Sequence, residues 1–335
     1  MNCISKLDHY IIPNDIVVTL SKIYRFIGNN EFYINTLGSD LNRVIDNTVQ
    51  KDAYFLAKIL KLDISEARIK LIIEKNSLPR NKEETTLYNL KDTLSSIQQK
   101  FQLLSLQSNE IFNMLNYIYS HYNGIKFDLS ESNQSFLQSQ NNKSKRLILD
   151  EMNDIIAVNL RSEKFEKITL FLNYFVDFYN LRPFVSKNEV ISLVILYQLV
   201  LIADINAFKY VSFFEMLYFD FNNFTDNLCK ASVNWKEGYA QTTEFVRYFL
   251  SIVMSAYKKA DKIIKDYRFD STNKKVDNIE STILSMKSVF TKDEIRISNP
   301  YVSESTINRA LISLREQGYI EPLGKGRSAK WIRKK

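Results

Sequence analysis

Apolar residues recur at helical spacing over most of the chain. Residues 14–26 predict an amphipathic helix, and 41–62 carry the same period. Residues 77–85 contain Pro79 and several charges, which predicts a loop or the start of a helix. One helix then follows over about 84–106 and another over 110–121, stopping near Asn123-Gly124, a usual helix ending. Residues 128–145 are rich in Ser, Asn and Gln and predict a surface loop or flap. Three or four helices are expected between 147 and 266. Residues 191–203 are the most apolar stretch. They include Gln198 and fall short of the roughly 20 residues a membrane-spanning helix needs, so they predict a buried core helix. Residues 268–277 are polar and charged and predict a linker. No internal repeat or low-complexity tract interrupts the pattern.

Beyond residue 277 the pattern tightens. Ile279, Ile283, Met286 and Phe290 predict one helix face. Thr291 and Glu294 are spaced as a capping box that starts a short second helix. Asn299-Pro300 breaks the chain, and Ser303 is placed to cap a third helix. Ile307, Ala310, Leu311 and Leu314 form its core face, and Glu304, Ser305, Asn308, Arg309 and Ser313 its polar face. Gly318 ends it. Residues 319–321 and 330–333 predict two strands around a glycine-containing tip at 323–328. This order resembles a winged helix-turn-helix domain. The resemblance implies that the third helix enters a major groove and that the hairpin presents cations to phosphate.

Composition adds class and compartment. A hydrophobic fraction of 45% and a charged fraction of 25% are ordinary for a globular chain, and only 7 Gly and 5 Pro among 335 residues favour long helices. Two cysteines are too few for a disulfide framework and point to a reducing compartment. With no secretory pattern near the start, a cytoplasmic protein is expected. The net charge is +7, and residues 275–335 carry 12 Lys and Arg against 7 Asp and Glu, so most of the excess sits in the last fifth of the chain. No P-loop, Cys/His metal spacing, nucleophile elbow or Rossmann glycine set is present, and no metal or other cofactor is expected.

Residues 66–97 hold a proline-basic turn before a helix with paired acids, and 234–250 hold a Trp-Lys-Glu-Gly stretch before another helix. In this order and spacing they resemble the Fic (filamentation induced by cAMP) family, over roughly residues 12–259. The resemblance implies a helical core preceded by a helical region, and in catalytic members transfer of AMP from ATP to a protein hydroxyl. The family motif His-Pro-Phe-x-Asp-Gly-Asn-Gly-Arg is matched best at 182–190, where only Pro183, Phe184 and Asn188 agree. Arg182 replaces the histidine base and stays protonated. Ser186 replaces the acid that helps hold magnesium. Lys187 and Glu189 replace glycines whose backbone approaches phosphate, and Val190 replaces a phosphate-binding arginine. There is no Gly or His between Gly124 and Gly238, so no shift of register restores the motif. Leu193 stands where a second arginine would be, and Leu60 where an inhibitory glutamate would pair with it. His9 and His121 are expected to be surface or satisfied helix residues.

The expectation is a mainly α protein. It has an N-terminal helical region of a Fic-like protein (1–105), a degenerate Fic-like core (106–267) and a linker with a small α+β winged-helix domain (268–335). The expected role is a non-catalytic transcriptional or toxin–antitoxin-type regulator that binds double-stranded DNA. Ser305, Asn308 and Arg309 would face bases, and Lys325, Arg327 and Lys330 phosphates. No catalytic residue and no membrane contact are expected. A homodimer and a protein partner stay open, as do an AMP transferase with a non-standard site and an interaction scaffold.

Overall fold

A computed structural model describes residues 3–129, 144–272, 275–299, 302–324 and 329–334. The chain divides into two compact units, Met1–Asn30 with Ile45–Ala260, and Glu31–Val44 with Asp261–Lys335. In chain order, a 3-10 turn at Ile4–His9 precedes α1 (Asn14–Gly28), α2 (Asn30–Leu37), α3 (Leu41–Ile59), α4 (Glu66–Lys75), α5 (Lys82–Lys100) and α6 (Ser108–Ile118). Then come α7 (Lys145–Ser162), α8 (Lys167–Leu181), α9 (Asn188–Ile202), α10 (Phe213–Phe219), α11 (Phe221–Ser232) and the 30-residue α12 (Thr243–Thr272). Most of the expected residues 128–145 loop lies outside the described residues.

Six helices, α7 to α12, occupy the region where the pattern predicts three or four. Only the last of the connections between them contains a glycine, Gly238 with φ of 76°. Glu163, Arg182, Lys187, Asp204 and Asn234 take the left-handed conformation as well, with φ of 51°, 47°, 63°, 62° and 54°. That conformation normally favours glycine, so these breaks lack their usual sequence marker. Two helix ends also come earlier than the spacing predicts. The α5 helix stops at Lys100, and the Leu104 and Leu106 carbonyls are taken by the Gln198 and Asn153 side chains. The Asn89 amide claims the Tyr117 carbonyl at 2.8 Å and ends α6 at Ile118.

At the centre of the first unit lie α8 and α9. Residues 168–178 of α8 and 190–201 of α9 are buried on every side, in keeping with their largely apolar composition. The packing neighbours of α8 are α7, α11 and the N-terminal 3-10 turn, and α5 packs on α9. Asn188 closes the connection between the two. Its Oδ1 accepts the Phe184 amide at 3.0 Å, and its Nδ2 donates to the Phe184 carbonyl at 2.6 Å. Both residues are buried, so the side chain satisfies two main-chain groups that water does not reach.

Two buried carboxylates clamp the helices further. Asp177 on α8 accepts the Cys3 and Ile4 amides and, at 2.7 Å, the Trp235 indole. This fixes the N-terminal turn and the approach to α12. Asp52 on α3 accepts the Ser212 hydroxyl at 2.7 Å, the Phe214 amide at 2.9 Å and the Tyr197 hydroxyl at 3.2 Å. The basic turn expected before α5 is held similarly. Glu84 takes a two-pronged ion pair from Arg68, at 2.9 and 2.8 Å, plus the Arg80 amide.

The second unit builds its own core. Tyr267 of α12 donates to Asp40 at 2.6 Å. Downstream are α13 (Lys275–Ser285), β1 (Val289–Thr291), α14 (Lys292–Ser298), α15 (Glu304–Glu316), β2 (Ile320–Pro322) and β3 (Lys330–Arg333). The strands form an antiparallel sheet in the order β1-β3-β2. Ile279, Ile283, Phe290, Ile295, Ile307, Leu311, Leu314 and Ile320 meet in one apolar cluster, with Met286, Val302 and Trp331 against it. The Thr291–Glu294 capping box and the Ser303 cap form as their spacing predicts. Residues 268–272 and 275–277, within the expected linker, are helical and belong to α12 and α13. Phe290 reaches the core from β1, opposite Trp331, because α13 stops at Ser285. A strand placed there satisfies the same spacing as another helical turn.

Asn188→Ala is expected to leave the Phe184 amide and carbonyl unpaired in the core and to destabilise the protein by about 2–4 kcal/mol. Val185→Ala, at a side chain 65% exposed, should change stability by less than about 0.5 kcal/mol. Urea unfolding of both variants is the measurement, and equal midpoints would remove the role given to Asn188. A second expectation concerns pH. Burial pushes the Asp52 carboxyl up to about 7, and its hydrogen bonds offset this only in part. The folded protein therefore retains a proton that the unfolded chain releases near pH 4. Its contribution to stability is full below pH 4, falls as pH rises towards 7, and is lost above that. Between pH 5 and 8 the wild type should lose on the order of 2 kcal/mol that Asp52→Asn does not lose. Parallel stability curves for the two proteins would contradict this.

Candidate functional site

The stretch 182–190 runs through the loop between α8 and α9 into the first turn of α9. Arg182 turns the chain out of α8 in the left-handed conformation, and its amide still bonds the Phe178 carbonyl at 3.3 Å. Pro183 and Phe184 are buried, Ser186 is half-buried, and Arg182, Lys187 and Glu189 are exposed. Lys187 precedes α9 in the left-handed conformation, and its ammonium lies 4.7 Å from the Tyr119 ring centre. Val190 is only 6% exposed and Leu193 7%, both turned into the core.

The loop is paired with another segment. The Asp128 amide donates to the Pro183 carbonyl at 2.9 Å, and the Val185 amide to the Lys126 carbonyl at 3.0 Å. Phe127 and Phe184 thus face each other in an antiparallel bridge, and their rings lie 5.1 Å apart with Phe112 stacked beside them. Lys145 pairs with Asp128 at 2.5 Å and reaches the Arg182 carbonyl at 3.4 Å, while the Arg146 guanidinium covers the Phe127 ring at 5.1 Å. This pairing joins residues nearly 60 positions apart, so no local pattern announces it.

The three residues that agree with the family motif do structural work in this loop: Pro183 and Phe184 fill the core, and Asn188 closes the turn. Among the residues that depart from it, Glu189 carries the carboxylate and is exposed, and Ser186 carries a hydroxyl and is half-buried. His121 is half-buried beside Tyr119, the ring centres being 6.0 Å apart, and its buried Nδ1 has no hydrogen-bond partner among the described residues. His9 is exposed. Among the described residues no group of three or more His, Cys, Asp or Glu is placed to hold a metal ion, and no helix is long and apolar enough to cross a membrane.

In the second unit, α15 separates its two faces as the sequence predicts. Ile307, Ala310, Leu311 and Leu314 are buried, Ser305 and Arg309 are exposed, and Asn308 is half-buried. The Ser305 hydroxyl lies 2.9 Å from that of Ser303, the helix cap. Lys330 is exposed on β3, opposite Thr291. Lys325 and Arg327 lie outside the described residues. Two further C-terminal cations have structural partners. Lys334 pairs with Glu321 at 2.6 Å, and the Arg333 guanidinium donates to the Leu284 carbonyl. Ile312 is the residue that the sequence pattern did not single out. It stands 44% exposed on the polar face, one turn beyond Asn308.

No family model matches the sequence, and no curated protein matches it. Solved structures do match in fold. A Fic family protein from Desulfovibrio desulfuricans G20 aligns over 97% of this chain and 97% of its own, with a TM-score of 0.54 at 13% identity. A Fic domain containing signaling protein from Bacteroides thetaiotaomicron VPI-5482 aligns over 74% of this chain and 97% of its own, with a TM-score of 0.56 at 14% identity. The mainly helical architecture is thus similar to that of Fic proteins, a likeness of fold.

Proposed function

We propose that this chain is a non-catalytic protein of Fic fold that binds double-stranded DNA through a C-terminal winged helix and acts as a regulator. The observation that carries this is the make-up of the second unit. Its elements run helix, strand, helix, helix, strand, strand with sheet order β1-β3-β2, and the third helix turns Ser305, Asn308 and Arg309 away from the core. A helix of this kind fits the major groove, where asparagine can pair with adenine and arginine with guanine. Lys330, with Lys325 and Arg327 from the sequence, would neutralise phosphates and release counterions. The charge surplus of residues 275–335 favours the same partner.

The absence of transfer chemistry is supported by the loop at 182–190. Arg182 stands where a base is required, and a guanidinium does not deprotonate at physiological pH. Val190 is packed into the core where a phosphate-binding arginine would be needed.

Purified protein is expected to bind duplex DNA with an affinity that falls steeply with salt. Arg309→Ala should relax the preference at one base pair by on the order of 1–3 kcal/mol, whereas Lys330→Ala should weaken all sequences evenly and lower the salt slope by about one. Salt-titrated fluorescence anisotropy measures both, and salt-insensitive or absent binding would end the DNA reading. Incubation with labelled ATP, magnesium or manganese and a cell lysate should transfer no label. A labelled band abolished by substitutions at Arg182 or Lys187 would show a working site and contradict the non-catalytic half of the proposal.

A further inference from the structure

The polar face of α15 has an apolar centre. Ser305, Asn308, Arg309, Ile312, Ser313 and Glu316 follow the 3–4 residue period of one helix face, opposite Ile307, Ala310, Leu311 and Leu314. Ser305, Arg309 and Glu316 are exposed, and Asn308 and Ser313 half-buried. Ile312 lies four residues beyond Asn308 and three beyond Arg309, 44% exposed, and it is not among the residues that build or pack against the apolar cluster of this unit. A single exposed isoleucine is ordinary on a protein surface. This one sits in the middle of the face that carries the base-reading groups, where a polar side chain would fill the position without exposing apolar area.

Only one feature of the major-groove edge is apolar, the 5-methyl group of thymine. A branched aliphatic side chain flanked by an asparagine and an arginine has the right chemistry to cover it while its neighbours take the donor and acceptor edges of adjacent pairs. We infer that Ile312 is a specificity-determining residue that selects a thymine beside the pairs read by Asn308 and Arg309. This inference rests on the proposed DNA binding and adds the identity of one recognised base and the group that recognises it. A protein partner is the less favoured occupant, because the isoleucine is bordered by Ser305, Asn308, Arg309 and Glu316 rather than by further apolar residues.

The test uses the full-length protein and a duplex recovered from a randomised DNA library by binding selection. Each thymine of that duplex is replaced in turn by deoxyuridine, which deletes the methyl and keeps every hydrogen-bonding group. For the wild type, one replacement should weaken binding roughly fourfold, the value of one buried methyl. For Ile312→Ala the same replacement should have no effect, and the two losses should not add. Ile312→Val, which keeps a branched methyl pair, should restore part of the discrimination. The substituted position is exposed, so these variants retain the fold, and circular dichroism melting checks this directly. If every replacement affects wild type and Ile312→Ala alike while Arg309→Ala still relaxes specificity, the role given to Ile312 is wrong and the DNA reading stands. If the wild type recovers no duplex and shows no salt-sensitive binding, both are wrong.

Discussion

One asparagine side chain stands between the two most deeply buried helices of the chain. By bonding both the amide and the carbonyl of Phe184, Asn188 satisfies a turn that water does not reach, and α9 can then begin directly after it. Because α8 and α9 are buried on every side, neither has a solvent-facing side to spare for tolerating a misplaced connection. The surrounding helices take their positions from this pair: α7, α11 and the N-terminal turn against α8, and α5 against α9. The Asp177 clamp on Cys3, Ile4 and Trp235 adds a second tie to the same helix.

The loop thus separates shape from chemistry. Pro183, Phe184 and Asn188 maintain the turn, and the antiparallel bridge to Phe127 secures its outer edge. Lys187 keeps a left-handed backbone although it is no glycine, at a conformational cost of about 1 kcal/mol that the surrounding contacts must outweigh. A scaffold held in this way does not depend on a working site, and its side chains at 182, 185, 187 and 189 are free to face solvent.

The helices were legible where their period was long and their ends carried ordinary markers. Asn14 and Leu41 begin helices as the pattern predicts, Ser303 and Thr291 cap theirs, and Gly318 with φ of 79° follows the end of α15. Where a signal is shared or missing, the structure departs from the pattern. Phe290 satisfies both a helical spacing and a strand opposite Trp331, so β1 was hidden. The breaks at Arg182 and Asp204 are made without glycine, so the pattern shows fewer helices than the chain forms. The site was legible in residue type but not in engagement. Residues 325–335 contain no acid, yet Glu321 from β2 reaches Lys334, and Arg333 is spent on the Leu284 carbonyl. Pairing between distant segments, as at Phe127 and Phe184, leaves no trace in local periodicity.

On the proposed reading, the burial of Val190 and Leu193 has a historical consequence. Both stand where the Fic motif implies arginines, and both now contribute apolar surface to the interior. Placing an arginine at either position alone would force a guanidinium into a buried space shaped for an aliphatic side chain. Each backward step would therefore destabilise the fold before it restored any function. Packing of this kind would act as a ratchet: with the interior closed over positions 190 and 193, folding itself would oppose any single substitution towards the motif.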